Sequence, residues 1–243
     1  MAMTHTAARS DTFQAKSWPR PAFVAPLERT SPVSNLSNDL RALHASSTRQ
    51  HFERNEAIFC EGDPADRLYR IVSGTVRLCR HTAGGRRHIA EFAFPGDLIG
   101  LAEGPQHSLS AEAVSAVIVT TFKRSALDQL AGANPSVRSN LCSQFSANLL
   151  DARQQLFVLG CQNAKERLAS FLLRLMKRTQ TEAGEILNLA MGRLDIADHL
   201  GLTIETVCRV LAALKSERIV IVPTPHQLIV SNGAALRALA TDV

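Results

Sequence analysis

Apolar residues fall into two textures along this chain. From His51 to about Lys123, short apolar runs alternate with glycine-bearing turns: AIFCEGDPAD, then LYRIVSGTVRLCRHTAGGRRHIAEFAFPGDLIG, then AEAVSAVIVTTF. Runs this short, broken at Gly62-Asp63, Ser73-Gly74, Gly84-Gly85 and Pro95-Gly96-Asp97, predict the strands of an antiparallel all-β unit, with Gly84-Gly85 as a hairpin turn. Beyond it the pattern becomes helical. Ser125 to Ala131 predicts a short helix, and Asn134-Pro135 opens a long one. In the long helix Val137, Leu141, Phe145, Leu149, Ala152, Leu156 and Leu159 recur at spacings of three and four, flanked by Arg138, Gln144 and Gln155. A stripe this long between two regions suits a coiled-coil-like seam between two copies of the chain; the other arrangement is a helix lying on the β unit. A further helix, about Ala164 to Thr179, places Leu168, Phe171, Leu172 and Leu175 on one face.

The segment Leu194 to Arg218, LDIADHLGLTIETVCRVLAALKSER, predicts two helices joined by a tight turn. Ile196, Ala197 and Leu200 sit at helical spacing, Gly201 supplies a left-handed turn residue, and Thr203 is a helix N-cap. Val207, Val210, Leu211 and Leu214 continue the apolar stripe, which leaves Glu205, Thr206, Cys208 and Arg209 facing outward. This pattern suits a helix-turn-helix whose second helix presents polar side chains to base edges in the DNA major groove. It also suits an ordinary buried helical hairpin, with Glu205 and Arg209 as a surface ion pair four residues apart. After it, IVIV and QLIV, separated by Pro223-Thr224-Pro225, predict a β-hairpin, completing a winged helix-turn-helix. Residues 1–34, rich in Ser, Thr, Ala and Pro, are expected to be a flexible tail, with a short helix following around Leu36 to His44.

Composition narrows the choice between these readings. The 243 residues carry a net charge of +5 without a long basic tract, which fits a DNA binder without establishing one. The five cysteines, Cys60, Cys79, Cys142, Cys161 and Cys208, are odd in number and contain no CxxC pair, so neither a disulfide scaffold nor a zinc ribbon is expected. No apolar run reaches the length of a membrane span, no signal-peptide core is present, and a reducing cytoplasm fits best. A redox enzyme built on Cys208 would need a paired cysteine or a convergent acid–base set, and neither is seen.

The segments IFCEGDPADRLYRIVSGTVRL, FAFPGDLIG, NAKERLASFLLRL and LGLTIETVCRVLAAL resemble those of the CRP/FNR family of bacterial transcription regulators, over roughly His51 to Asn232. Within it the chain most resembles the FixK branch, whose members control anaerobic, microaerobic or nitrogen-fixation genes. The resemblance implies an α+β protein in four parts: a tail (1–34), a cyclic-nucleotide-binding-like β-roll (35–131), a dimerisation helix (132–162) and a winged helix-turn-helix (163–243). It implies a homodimer on double-stranded DNA at a near-palindromic TTGA-type site, activating transcription by contact with RNA polymerase, in part through exposed β-roll loops such as Gly84 to His88. Two departures bear on cofactors. No cysteine precedes Cys60, so the N-terminal ligand set of the iron–sulfur branch is missing, and Cys60, Cys79, Cys142 and Cys161 are expected to be packed apolar residues. No Arg or Lys lies between Arg87 and Lys123, so the stretch IGLAEGPQHSLSAEAV lacks the arginine that clamps a cyclic phosphate, and only Glu103 remains as a ribose contact. Neither cofactor nor metal is expected, nor cyclic nucleotide as a partner. The alternative is an effector-gated member of the same family, sensing a small molecule through the β-roll, or a haem through His81, His88 or His107.

On the second helix, Arg209 can donate twice to guanine and Glu205 can accept from cytosine while orienting Arg209. Thr203 and Thr206 suit phosphates near the helix N-terminus, and Ile204 either meets a thymine methyl or is partly buried. Cys208, beside Arg209, is either a small contact residue or a redox switch whose oxidation adds bulk and negative charge facing phosphate.

Overall fold

The computed structural model describes residues 47–101 and 104–241. The expected tail, the helix near Leu36 to His44 and Glu103 lie outside the described residues. The region of short apolar runs forms strands β1 (Thr48–Phe52), β2 (Ala57–Phe59), β3 (Arg67–Ser73), β4 (Val76–His81), β5 (Arg87–Ala93), β6 (Leu98–Ile99), β7 (Ser110–Ala113) and β8 (Val117–Lys123). They assemble as two four-stranded antiparallel sheets, in the orders β1-β8-β3-β6 and β2-β7-β4-β5. Ile71, Val76, Leu78, Ala113, Val117 and Val119 fill the space between the sheets. The link from β3 to β4 turns on Gly74, at φ 85°; a Cβ there would lie 2.3 Å from the Ala116 carbonyl oxygen, so only glycine fits. The interior is well filled on the side of β7: His107 is buried and stacks on Phe59, with centroids 3.7 Å apart, and Leu109 packs on the same core.

Helix α1 (Arg124–Ala133) extends past the expected end at Ala131, so the boundary placed at 131/132 falls inside a helix, and the break comes at Asn134. Helix α2 (Pro135–Cys161) follows, with Pro135 in its first turn, where no intrahelical N–H bond is lost. Its 27 residues span about 40 Å. The expected seam is corrected at its start. Val137 is buried with Leu68, Leu101, Phe122 and Leu127, and Leu141 packs on the same cluster, because the first turns of α2 lie on the β unit. Leu159 is half-buried near the far end of the helix. Phe145, Leu149 and Leu156 are 42%, 52% and 72% exposed, and Ala152 is exposed. Leu150 and Phe157, outside the expected stripe, are exposed as well. The cysteines are corrected too: Cys79 alone is buried, since Cys60 sits in the turn after β2 and Cys142 and Cys161 lie on open faces of α2.

Helix α3 (Ala164–Thr179) starts with a capping box between Asn163 and Glu166, and buries Leu168, Phe171, Leu172 and Leu175 as its periodicity predicts. Strand β9 (Ile186–Asn188), helices α4 (Arg193–Leu200) and α5 (Ile204–Ser216), strands β10 (Val220–Thr224) and β11 (Gln227–Val230) and helix α6 (Gly233–Thr241) complete the chain. The expected hairpin is part of a three-stranded sheet, β10-β11-β9, and Pro223 and Thr224 belong to β10 rather than to the turn. Neither β9 nor α6 is anticipated from the sequence: a three-residue strand has too little pattern, and α6 gains its place by setting Leu236 into the core beside α3.

Helix α4 rests on the β unit through His199. Its Nδ1–H donates to the Ile89 carbonyl at 3.0 Å, and its ring meets Phe92 edge-on at 5.3 Å and Phe171 at a tilt at 5.7 Å. Burial, with the nearby Arg174 and His88 charges, lowers its pKa to about 4, although the Ile89 bond works the other way. The folded chain therefore prefers the neutral ring. Stability is full above pH 6.5 and declines as pH falls from 6.5 to about 4, by about 3 kcal/mol in total. Thermal melts across this range should fall more steeply for the wild type than for His199→Gln; parallel slopes would refute the assignment.

Candidate nucleic-acid interface

The turn between α4 and α5 is built by Gly201, which caps α4 in the left-handed conformation at φ 63°. Arg167 secures the junction from below. Its Nη1 donates to the Leu200 carbonyl (3.0 Å), its Nη2 to Leu159 (2.9 Å) and its Nε to Gln162 (2.8 Å). One guanidinium thus holds the C-terminal carbonyls of both α2 and α4, groups that helix geometry leaves unpaired. Ala197 is buried where the two helices meet, and Val207, Val210, Leu211 and Leu214 form the buried side of α5.

The outward side of α5 carries the residues singled out in the sequence. Thr203, Ile204, Glu205, Cys208 and Arg209 are exposed and Thr206 is half-buried, so Ile204 is available to a partner rather than packed. Thr203 is the N-cap: its Oγ1 accepts from the Thr206 N–H at 3.2 Å and lies 3.1 Å from the Thr206 hydroxyl. The expected pairing of Glu205 with Arg209 is corrected. The Glu205 carboxylate turns back to its own N–H and to the Thr203 hydroxyl, which hold its pKa below the usual carboxylate range. Arg209 Nη2 instead reaches Thr206 Oγ1 at 3.4 Å. The capping geometry explains this choice, because a carboxylate in the first turn is drawn to free N–H groups.

Arg193, in the first turn of α4, is the group sequence reading missed. It is half-buried and faces Cys208; burial lowers its pKa, and the Cys208 sulfur opposes that shift. Its Nη1 is buried without a hydrogen-bond partner among the described residues. The only sequence signal was a basic residue opening the first helix of the pair. The wing turn at Pro225-His226 is exposed, His226 Nδ1 lies 3.2 Å from the Leu189 carbonyl oxygen, and His226 lines a cavity with Gly74, Thr75 and Phe94 of the β unit.

The β unit brings three metal-type donors together, Cys79, His81 and Glu112, within 4.8 Å of one another. Glu112 already accepts from Arg77 Nε at 2.8 Å, and burial together with Glu112 pushes the Cys79 thiol up to about 11. A protonated thiol and a carboxylate committed to a guanidinium make a poor cation site. Of the histidines considered for haem, His81 and His88 are exposed at the β4–β5 hairpin and His107 is buried against Phe59. Among the described residues no helix is long and apolar enough to cross a membrane.

This geometry has known counterparts. Residues 49–134 match the model of a cyclic nucleotide-binding domain, and residues 166–239 that of a Crp-like helix-turn-helix domain. The nitrogen fixation regulation protein FixK of Azorhizobium caulinodans is 40% identical over 198 residues, covering 80% of each chain. The chain belongs to the CRP/FNR family, in its FixK-like branch. The transcriptional activatory protein AadR of Rhodopseudomonas palustris is 36% identical over 169 residues, 69% of this chain and 71% of that one. The solved structure of FixK2 from Bradyrhizobium japonicum is similar with a TM-score of 0.77 at 36% identity, covering 81% of this chain and 98% of that one. This regulator is thus a DNA-binding protein of the helix-turn-helix class, and α5 is the second helix of the α4–α5 pair within the matched domain.

Proposed function

We propose that the chain works in the cytoplasm as a homodimer on a near-palindromic TTGA-type site, activating anaerobic, microaerobic or nitrogen-fixation genes by recruiting RNA polymerase. The naming of its relatives as nitrogen fixation regulators and as a transcriptional activator supports the target genes and the direction of control. The observation that carries the dimer is the open apolar surface of α2, where nothing among the described residues covers Phe145, Leu149, Leu156 and Phe157. Leu149 and Leu156 are one heptad apart, as are Phe145 and Ala152, which suits a left-handed pairing with a second α2. Two copies would set two α5 helices into successive major-groove turns, about 34 Å apart. Leu149→Asp with Leu156→Asp is expected to yield a monomer by light scattering and to abolish footprinting on the palindrome; a dimer that still footprints would overturn this arrangement.

In the half-site, Arg209 reads guanine N7 and O6, Glu205 faces a cytosine amino group, Thr203 and Thr206 contact phosphate, and Ile204 meets a thymine methyl. Arg209 is exposed and lightly tethered, so it can swing onto a base at small cost. Arg209→Ala should lose about 1–3 kcal/mol of specific over non-specific binding. Gel shifts with matched and scrambled half-sites measure it, and unchanged discrimination would remove Arg209 from the reading set. No cyclic nucleotide or iron–sulfur cluster is required in this reading: no Arg or Lys lies between Arg87 and Lys123 to meet a cyclic phosphate, and no cysteine precedes Cys60. Of the Gly84 to His88 loop, Gly84 to Arg86 are free for a polymerase contact, whereas Arg87 is engaged within the chain.

Cys208 adds a switch. Its sulfur is exposed on the proposed DNA side beside Arg193, and when the ionised sulfur attacks hydrogen peroxide the S–O bond forms as the O–O bond breaks, giving the sulfenic acid and a hydroxide that takes a proton from solvent to become water. The oxidised group opposes phosphate by bulk and charge. Peroxide is expected to abolish binding by the wild type and to spare Cys208→Ser, with dithiothreitol reducing the sulfenic acid to the thiol and restoring binding; equal loss in both proteins would eliminate the switch.

A further inference from the structure

The β unit and the helix-turn-helix meet in an ionic seam. Arg77 on β4 donates from Nε to Glu112 Oε2 (2.8 Å) and from Nη1 to Asp195 Oδ1 (3.2 Å). Arg87 on β5 donates from Nη2 to Asp195 Oδ1 (2.6 Å) and from Nε to Asp198 Oδ2 (2.9 Å). Two guanidiniums from one sheet therefore face two carboxylates of α4 and one, Glu112, of the sheet itself. The side chains of Arg77 and Asp195 are 8% and 9% exposed, so these charges are bound to each other rather than to water. A buried carboxylate is tolerated only in a narrow set of geometries that keep it paired, whereas an apolar contact such as Phe92 on Phe171 survives small slides.

The seam matters because the covalent joint is short. Only Gln162 and Asn163, both extended, separate α2 from α3. A domain hung on two residues can pivot unless something else fixes it. The Arg167 clamp holds the pivot itself, while the seam lies at its far side, on α4, which carries α5 through their shared core. Arg77 and Arg87 thus help to set the angle between α2 and α5, together with the His199–Ile89 bond and the Arg178–Asp97 ion pair that also join the β unit to the helices.

We infer that this seam fixes how far apart two reading helices stand in the dimer, so that Arg77, Arg87, Asp195 and Asp198 set the half-site spacing without touching DNA. They are positioning residues, and the inference rests on the dimeric reading proposed above. One base pair of spacing moves a half-site by about 3.4 Å and turns it by about 35°, more than a pinned domain follows and within reach of a released one.

The test uses the full chain and duplexes bearing inverted TTGA half-sites, the gap stepped one base pair at a time about the optimum. The variants are Arg87→Asp, the milder Asp198→Asn, and the swap Arg87→Asp with Asp198→Arg. Circular dichroism and light scattering establish that each is folded and dimeric. The wild type is expected to lose about tenfold or more in affinity one base pair from its optimum, a cost like that of a mismatched base pair. Arg87→Asp should flatten this preference to about twofold while keeping base discrimination within the half-site, Asp198→Asn should flatten it in part, and the swap, which re-forms the pair with α4 but leaves Asp195 short of one partner, should restore it in part, since a merely destabilised fold would not regain spacing. A folded, dimeric Arg87→Asp or Asp198→Asn with the full wild-type spacing preference overturns the inference and leaves the dimeric reading intact. A wild type that is monomeric, or indifferent to spacing, overturns both.

Discussion

One buried carboxylate ties the first helix of the helix-turn-helix to the β unit. Asp195 Oδ2 accepts from the Gly192 N–H and so starts the first helix of the helix-turn-helix, while Oδ1 receives Arg77 and Arg87 from the β unit. Helix initiation and domain docking therefore depend on the same side chain. Burying such charges costs several kcal/mol per ion before pairing offsets it, and removal of one member leaves the others uncompensated. For Arg87, burial works against the charge, yet Asp198, Asp195 and Glu112 outweigh it and raise its pKa. The seam adds little net stability compared with an apolar contact of the same size, but it penalises every other docking angle.

A second constraint comes from α2. A helix of 27 residues that buries only Val137 and Val158 has little reason to persist alone, since isolated helices owe most of their stability in proteins to packing. Its first turns belong to the β unit through Val137 and Leu141, and its last carbonyls to Arg167. Between these anchors it exposes leucine and phenylalanine on more than one side. The breadth of that surface, which includes Leu150 and Phe157 beside the heptad stripe, is greater than a two-helix seam alone covers. A second chain approaching this helix would therefore bring more than its own α2 against it.

The sequence made the reading unit legible because its signals are local. Gly201, Thr203 and the run Val207, Val210, Leu211 and Leu214 lie within fourteen positions, and each acts through backbone geometry or helical period. The β unit was legible for a similar reason, its turns being marked by glycines such as Gly74 that no other residue could replace. What stayed hidden was long-range. Arg87 and Asp195 are 108 residues apart, and nothing near either announces the other. Val137 and Leu141 continue the stripe of Leu149 and Leu156, yet face a different partner, because period identifies an apolar face without saying what covers it. Glu205 and Arg209 have ion-pair spacing, but a helix N-terminus competes for the carboxylate and wins.

The arrangement bears on how such a protein could be controlled. In the seam every guanidinium meets carboxylates of the same chain, so docking of the helix-turn-helix draws no partner from outside. Coupling between sites requires a ligand that binds two states unequally. An effector that opposed this docking would have to exceed the cost of separating Asp195 and Asp198 from their arginines. The Cys208 sulfur, by contrast, is exposed on α5 and takes no part in the seam. The oxidation proposed for Cys208 would therefore act outside the seam and leave the docking of the helix-turn-helix in place.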